Sequence, residues 1–251
     1  MPSDNLYKYV LSLGDDALVI AQRLSEWAYK APFLEEDIAI SNFSLDFFGR
    51  ANHLLEYAAT IKGGNMTVDD LAFRRNEREF SNHLIYEQPN GDFAKTMIRQ
   101  FFIDVYNKLF FQELINSSDC QLSAIAQKSI KEIIYHLRHS SKWVLRLGDG
   151  TAESHKRAQV AINGLWMFTD ELFQMNQNEL EIYKKGIGVD CSKLKTSWIN
   201  NINDIINKAT LSIPRDEYMQ SGGRDGIHTE HLGHMLSDMQ YLQRAYPDAQ
   251  W

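Results

Sequence analysis

One glutamate and two histidines lie within eight positions of the segment KSIKEIIYHLRHSSKW, residues 128–143. Helices of iron-carboxylate bundles carry Glu-x-x-His, because a spacing of three sets carboxylate and imidazole on one face, both pointing into the core. Here Glu132 and His136 are four apart, and the residue three before His136 is Ile133, which ligates nothing. At about 100° per residue, Leu122, Ala126, Ile130, Ile133, Leu137, Val144 and Leu147 define an apolar stripe. By the same rule His136 falls roughly 70° from the centre of that stripe, and Glu132 and His139 fall roughly 110–130° away on the flank. Only His136 is expected to point inward. Three positions after Asp46 comes Gly49, and the neighbouring pair Phe48 and Ala51 offers no ligand. Glu-x-x-His occurs nowhere in the 251 residues. Glu26 and Asp104 survive as single carboxylates, so Glu26, Asp46, Asp104 and His136 are the candidates for a degenerate metal site. Asp104, set among phenylalanines in RQFFIDVYNKLFF, needs a buried partner, which His136 or an arginine could supply. A structural polar cluster is the reading taken.

A second constellation is GIHTEHLGHM, where His228, His231 and His234 follow at successive spacings of three, with Glu230 alongside. On a helix two of the three imidazoles could share a metal, since each step turns about 60°. Without an accompanying carboxylate arrangement, helix entry, capping and a contact between subunits are expected instead. Arg74, Arg75 and Arg78 in FRRNEREF could meet phosphates, but with Glu77 and Glu79 they read as a self-neutralised, solvated face. Trp27, Trp143, Trp166 and Trp198 are expected to serve mainly in core packing.

The elements that must position these residues are helices nearly throughout. DDALVIAQRLSEWAYKA (15–31) opens on acids suited to a helix N-terminus and stops before Pro32. A second helix runs from the Glu35–Glu36–Asp37 turn to Gly63–Gly64 and is apolar nearly all round, through Ile38, Phe43, Leu45, Phe47, Phe48, Leu54 and Leu55. That pattern predicts the middle of a bundle. A short helix is expected within residues 67–88, closed by the turn QPNGD. Asp92 is placed to cap a long helix over 93–118, and Asp119 another over 121–147 that ends at Gly148. Further helices are expected near 154–177, 192–209 and 229–245. Four long helices with short or moderate connections predict an all-α antiparallel four-helix bundle with additional helices, in one domain over residues 1–251.

Composition sets the class. Hydrophobic residues at 44% and charged residues at 24% describe an ordinary water-soluble globular chain. A net charge of −7 argues against nucleic acid or an anionic membrane surface as partner. MPSDNLYKYV lacks the basic start and apolar run of a signal peptide, and no apolar run approaches the roughly 20 residues of a membrane span. Cys120 and Cys191 stand alone, without thiolate-zinc or disulfide-scaffold spacing, which fits a reducing cytoplasm.

Four segments carry a resemblance to a known family. SLDFFGRANHLLEYAATIKGG, FSNHLIYEQPNGDFAKTMIRQFFIDVYNKLF, SIKEIIYHLRHSSKW and IHTEHLGHMLSDMQYLQRAYP resemble the C-subunit family of the ring-1,2-phenylacetyl-CoA epoxidases, the multicomponent oxygenases of aerobic phenylacetate breakdown. The resemblance runs from about residue 6 to the C-terminus, and EQPNG and HTEHLG are its most specific pieces. It implies a ferritin-like fold, no catalytic residue and no cofactor in this chain. It also implies a catalytic A subunit as direct partner, which carries the di-iron centre and binds the thioester. The other components and a reductase would be met indirectly, and a homo-oligomer when alone is allowed. Two rival functions stay open here: a ferritin-like oxidoreductase with its own metal, and a stand-alone bundle binding a small molecule in its core.

Overall fold

The structure is a computed structural model and describes residues 2–215, 218–247 and 249. Among these the α-helices are α1 (Pro2–Ser25), α2 (Leu34–Lys62), α3 (Val68–Phe73), α4 (Leu84–Glu87), α5 (Phe93–Leu114), α6 (Cys120–Gly148), α7 (Ala152–Leu165), α8 (Gln177–Lys184), α9 (Lys195–Lys208) and α10 (Glu230–Ala245). Short 3-10 turns link several of them, and no strand occurs among the described residues. The fold is all-α, a ferritin-like helical bundle with additional helices. Among the described residues no helix is long and apolar enough to cross a membrane. The chain divides into two compact units, residues 1–89 with 222–251, and residues 90–221.

In the first unit α1 packs along the length of α2. Ser44 of α2 donates its hydroxyl to the Ala21 carbonyl of α1 at 2.8 Å, which ties the two backbones closely. The first helix starts thirteen residues earlier than its acids suggest: Asp15 and Asp16 lie in the middle of α1, and both are buried. It also ends earlier, giving way after Ser25 to turns in which Tyr29 adopts a left-handed φ of 65°. The second helix has the expected limits but is not buried all round. Phe43, Phe47, Leu54 and Leu55 enter the core, while Ile38 and Leu45 are 54% and 65% exposed. The segment 67–88 breaks into α3, a 3-10 turn and α4.

In the second unit α5 is the buried centre, packed on α6, α7 and α9. Asp92 accepts from the Lys95 amide, and Asp119 from the amides of Gln121 and Leu122, so both expected caps are in place. Phe102, Trp166, Phe173 and Trp198 meet ring to ring, and Trp198 Nε1 donates to the Phe102 carbonyl at 3.0 Å. Trp27 is buried as well, whereas Trp143 is half-buried and packs edge-on against Phe93. The α8 helix lies beyond the expected 154–177 helix, which stops at Leu165.

Candidate functional site

Two buried polar clusters hold the residues with chemical potential, one in each unit. In the second unit, Asp104 of α5 is fully buried. Gln100, one turn earlier, donates to Oδ1 at 2.7 Å, and Ser140 of α6 donates to Oδ2 at 2.8 Å. His136, one turn before Ser140, is fully buried too. It sits well inside the buried stripe, not at its margin. That stripe contains Leu122, Ser129, Ile133, His136, Ser140 and Val144, whereas Ile130, Leu137 and Leu147 are only half-buried. The small polar residues turn α6 toward Asp104, and counting apolar side chains alone missed that rotation.

Glu26 and Asp46 belong to the first unit. Glu26 lies just past the end of α1, not within it, and pairs with Arg23 at 2.9 Å. Asp46 is half-buried on α2. A ferritin-like di-iron centre needs carboxylates and imidazoles presented in Glu-x-x-His pairs. Here Ile133 and Gly49 take the paired positions, and both oxygens of Asp104 accept hydrogen bonds from neutral donors. These residues do not fit a di-iron centre.

The cluster in the first unit fastens the C-terminal segment to α1 and to the chain around α4. Asp15, fully buried, forms an ion pair with Arg75 and accepts from the Ser81 amide at 3.0 Å. The Arg75 guanidinium also stacks 4.0 Å over the Phe80 ring. Arg75 is therefore a buried structural cation and not part of a solvated face, although Arg74 and Arg78 are exposed as expected. Asp16 accepts from the His83 amide at 2.8 Å and from Arg224 Nη2 at 2.7 Å. Burial opposes charge on Asp16, but the Arg224 guanidinium and His83 outweigh it and hold the carboxyl below its usual range. Gly223 lets this segment approach, because a Cβ there would come 2.2 Å from the Asn82 carbonyl.

Glu87 completes the cluster. Oε1 accepts from the Thr229 amide at 2.6 Å and the Thr229 hydroxyl at 2.8 Å, and Oε2 from Asn82 Nδ2 at 2.9 Å. His228 Nδ1 lies 2.8 Å from Oε2, and its Nε2 lies 2.9 Å from the Phe80 carbonyl. The three histidines near the C-terminus do not share a helix face. His228 precedes α10 and has both ring nitrogens engaged, while His234 is exposed on α10. Because α10 starts at Glu230, after Thr229, His228 stands at the expected helix entry rather than on the helix. Glu87 belongs to EQPNG and His228 to HTEHLG, so the two most distinctive sequence segments meet in one hydrogen-bonded pair.

The whole chain, residues 1–251, matches the family described as Phenylacetic acid catabolic protein. The chain belongs to the phenylacetic acid catabolic protein family. Within this family it is similar to the C subunit of the 1,2-phenylacetyl-CoA epoxidase of Escherichia coli (strain K12). The two are 48% identical over 248 residues, covering 99% of this chain and 100% of the relative. In this phenylacetic acid catabolic protein the carboxylates of Asp15, Asp16, Asp104 and Glu87 are each held by donors from neighbouring elements. A surface groove of about 600 Å³ along α10 is lined by Asn76, Glu77, Leu236, Gln240, Tyr241 and Arg244.

Proposed function

We propose that this chain is the C subunit of a 1,2-phenylacetyl-CoA epoxidase, a non-catalytic subunit that binds and stabilises a homologous di-iron catalytic A subunit. The observation that carries this reading is the 48% identity with the Escherichia coli relative over essentially the full length of both chains. The residues point the same way. A chain with Ile133 and Gly49 at the paired ligand positions acts on oxygen chemistry through a partner. The remaining components and a reductase would act through the A subunit, and the complex would work in the cytoplasm, in keeping with two cysteines that form no disulfide. Taking residues 1–251 as one functional domain belongs to the same reading, supported by a family match that runs the whole length.

Long helices pack side by side at shallow angles, and stable subunit pairs of this kind bury more than about 2,000 Å². The A subunit expressed alone is therefore expected to be poorly soluble or inactive, and co-expression with this chain to restore it, as read by gel filtration and epoxidation assay. Phenylacetyl-CoA should bind weakly or not at all to this chain alone by calorimetry. Full epoxidation by the other components without this chain would refute the reading.

A further inference from the structure

His228 and Glu87 have side chains that are completely shielded from solvent. The proton inventory around them is fixed by their neighbours. The Phe80 carbonyl 2.9 Å from His228 Nε2 can only accept, so Nε2 carries a hydrogen. On the other side, Glu87 receives a peptide N–H on Oε1 and an amide N–H on Oε2. The orientation of the Asn82 amide is itself set, since its Nδ2 also donates to the His83 carbonyl at 3.1 Å. With the Glu87 oxygens already accepting from the Thr229 amide and hydroxyl and from Asn82, the hydrogen on the Nδ1···Oε2 contact is placed on the imidazole. Both ring nitrogens are then donors, and His228 is a buried imidazolium.

We propose that His228 is a proton-operated latch that ties the start of α10 to Glu87 and to the Phe80 carbonyl, and that loss of its proton loosens that end of α10. Thr229 stands at the N-cap of α10, yet its own side chain caps nothing within the helix. Its amide and hydroxyl go to Glu87, which therefore anchors the helix start from outside. Neutral His228 has one N–H for two acceptors, so either the carbonyl or the carboxylate is left facing a ring lone pair in a site without water access. The other charged groups around the pair favour the imidazolium or are already matched. Asp15 of α1 adds attraction and is itself paired with Arg75. Arg23 of α1 donates to the Glu87 and His231 main-chain carbonyls, leaving the Glu87 carboxylate free for His228. Asp16, His83 and Arg224 form the adjoining cluster.

Burial alone would depress the His228 pKa, but the Glu87 carboxylate overrides it and holds the value above the ordinary 6.5. A pKa raised on folding contributes stability that is complete below the unfolded value and lost as pH rises through the folded one. The latch is thus closed below the ordinary imidazole value and opens as pH rises through the higher, folded-state one.

The test uses the full chain labelled with ¹⁵N-histidine, with His228 assigned by difference from His228→Asn, or by triple resonance if that variant does not fold. Both His228 ring nitrogens should be protonated at about pH 7.5, where an ordinary imidazole has largely lost its proton. Amide exchange over residues 230–234, corrected for intrinsic rates, should rise severalfold between neutral and strongly alkaline pH. In Glu87→Gln, His228 should titrate at or below the ordinary value. A neutral His228 at neutral pH, or an alkaline rise in exchange that is identical in His228→Asn, would overturn the proposal.

Discussion

Asp15 and Asp16 show how much one residue pair can mislead when its partners are distant in sequence. Two consecutive acids before an apolar run suit a helix start. In the fold they sit inside α1, because Arg75 and Arg224 reach them from 60 and 208 residues away. A buried charge costs several kcal/mol unless it is paired, so these arginines are a condition of the helix running through. The consequence for acid stability follows from the direction of the Asp16 shift. Its carboxyl is held below the ordinary value of 3.8, with burial opposed and overcome by Arg224 and His83. Such a group stabilises the fold fully above 3.8, and the contribution disappears as pH falls through the lower, folded-state value. Asp16→Asn should therefore be less stable than the unsubstituted chain at pH 7, by about 3 kcal/mol or more, since Arg224 is left without its counter-charge. The gap should narrow as pH falls well below 3.8. Urea titrations at both pH values measure it; a gap unchanged or widened in acid would contradict the pairing.

At the scale of elements, the limits marked by caps were legible and faces were not. Asp92, Asp119 and Gly148 mark helix ends by chemistry that acts within one turn, so α5 and α6 appear where their caps place them. Which side of a helix is buried depends on what lies opposite. Ile38 and Leu45 look like core residues yet face outward, while Ser129 and Ser140 look like surface residues yet are buried, Ser140 against Asp104. The α10 helix starts where expected, but Thr229 is anchored by Glu87 rather than by a local capping box, which sequence spacing does not show. Glycines on two long helices make the contrast measurable. A Cβ at Gly49 on α2 meets nothing within 4 Å, whereas one at Gly148 would lie 2.1 Å from the Ala209 carbonyl. Gly49→Ala should stabilise the chain by about 0.5–1 kcal/mol, the helix-propensity difference. Gly148→Ala should destabilise it by about 1–3 kcal/mol through overpacking against backbone. Denaturant midpoints of the two variants should move in opposite directions; a shared sign would mean that the close approach of α6 to Ala209 is misplaced.

For the whole molecule, the class of the fold was readable because cap signals and helical periodicity repeat along all 251 residues. The candidate metal site was readable only as a pattern of replacements. Ile133 for a carboxylate three before His136, and Gly49 three after Asp46, are visible in the chain without any coordinates. The structure adds what became of the acid left behind: Asp104 accepts from Gln100 and Ser140, so both of its oxygens are held by neighbouring side chains. A di-iron centre holds its metals with several carboxylates and two imidazoles converging from four helices, and affinity falls steeply when ligands are lost. The purified chain, given ferrous iron without oxygen and then desalted, should retain no stoichiometric iron by plasma emission. Subsequent exposure to oxygen should develop no di-iron absorption band. Two irons per chain together with such a band would show that side chains outside Asp46, Asp104 and His136 rebuild a centre, and the chain would then be an oxidase in its own right.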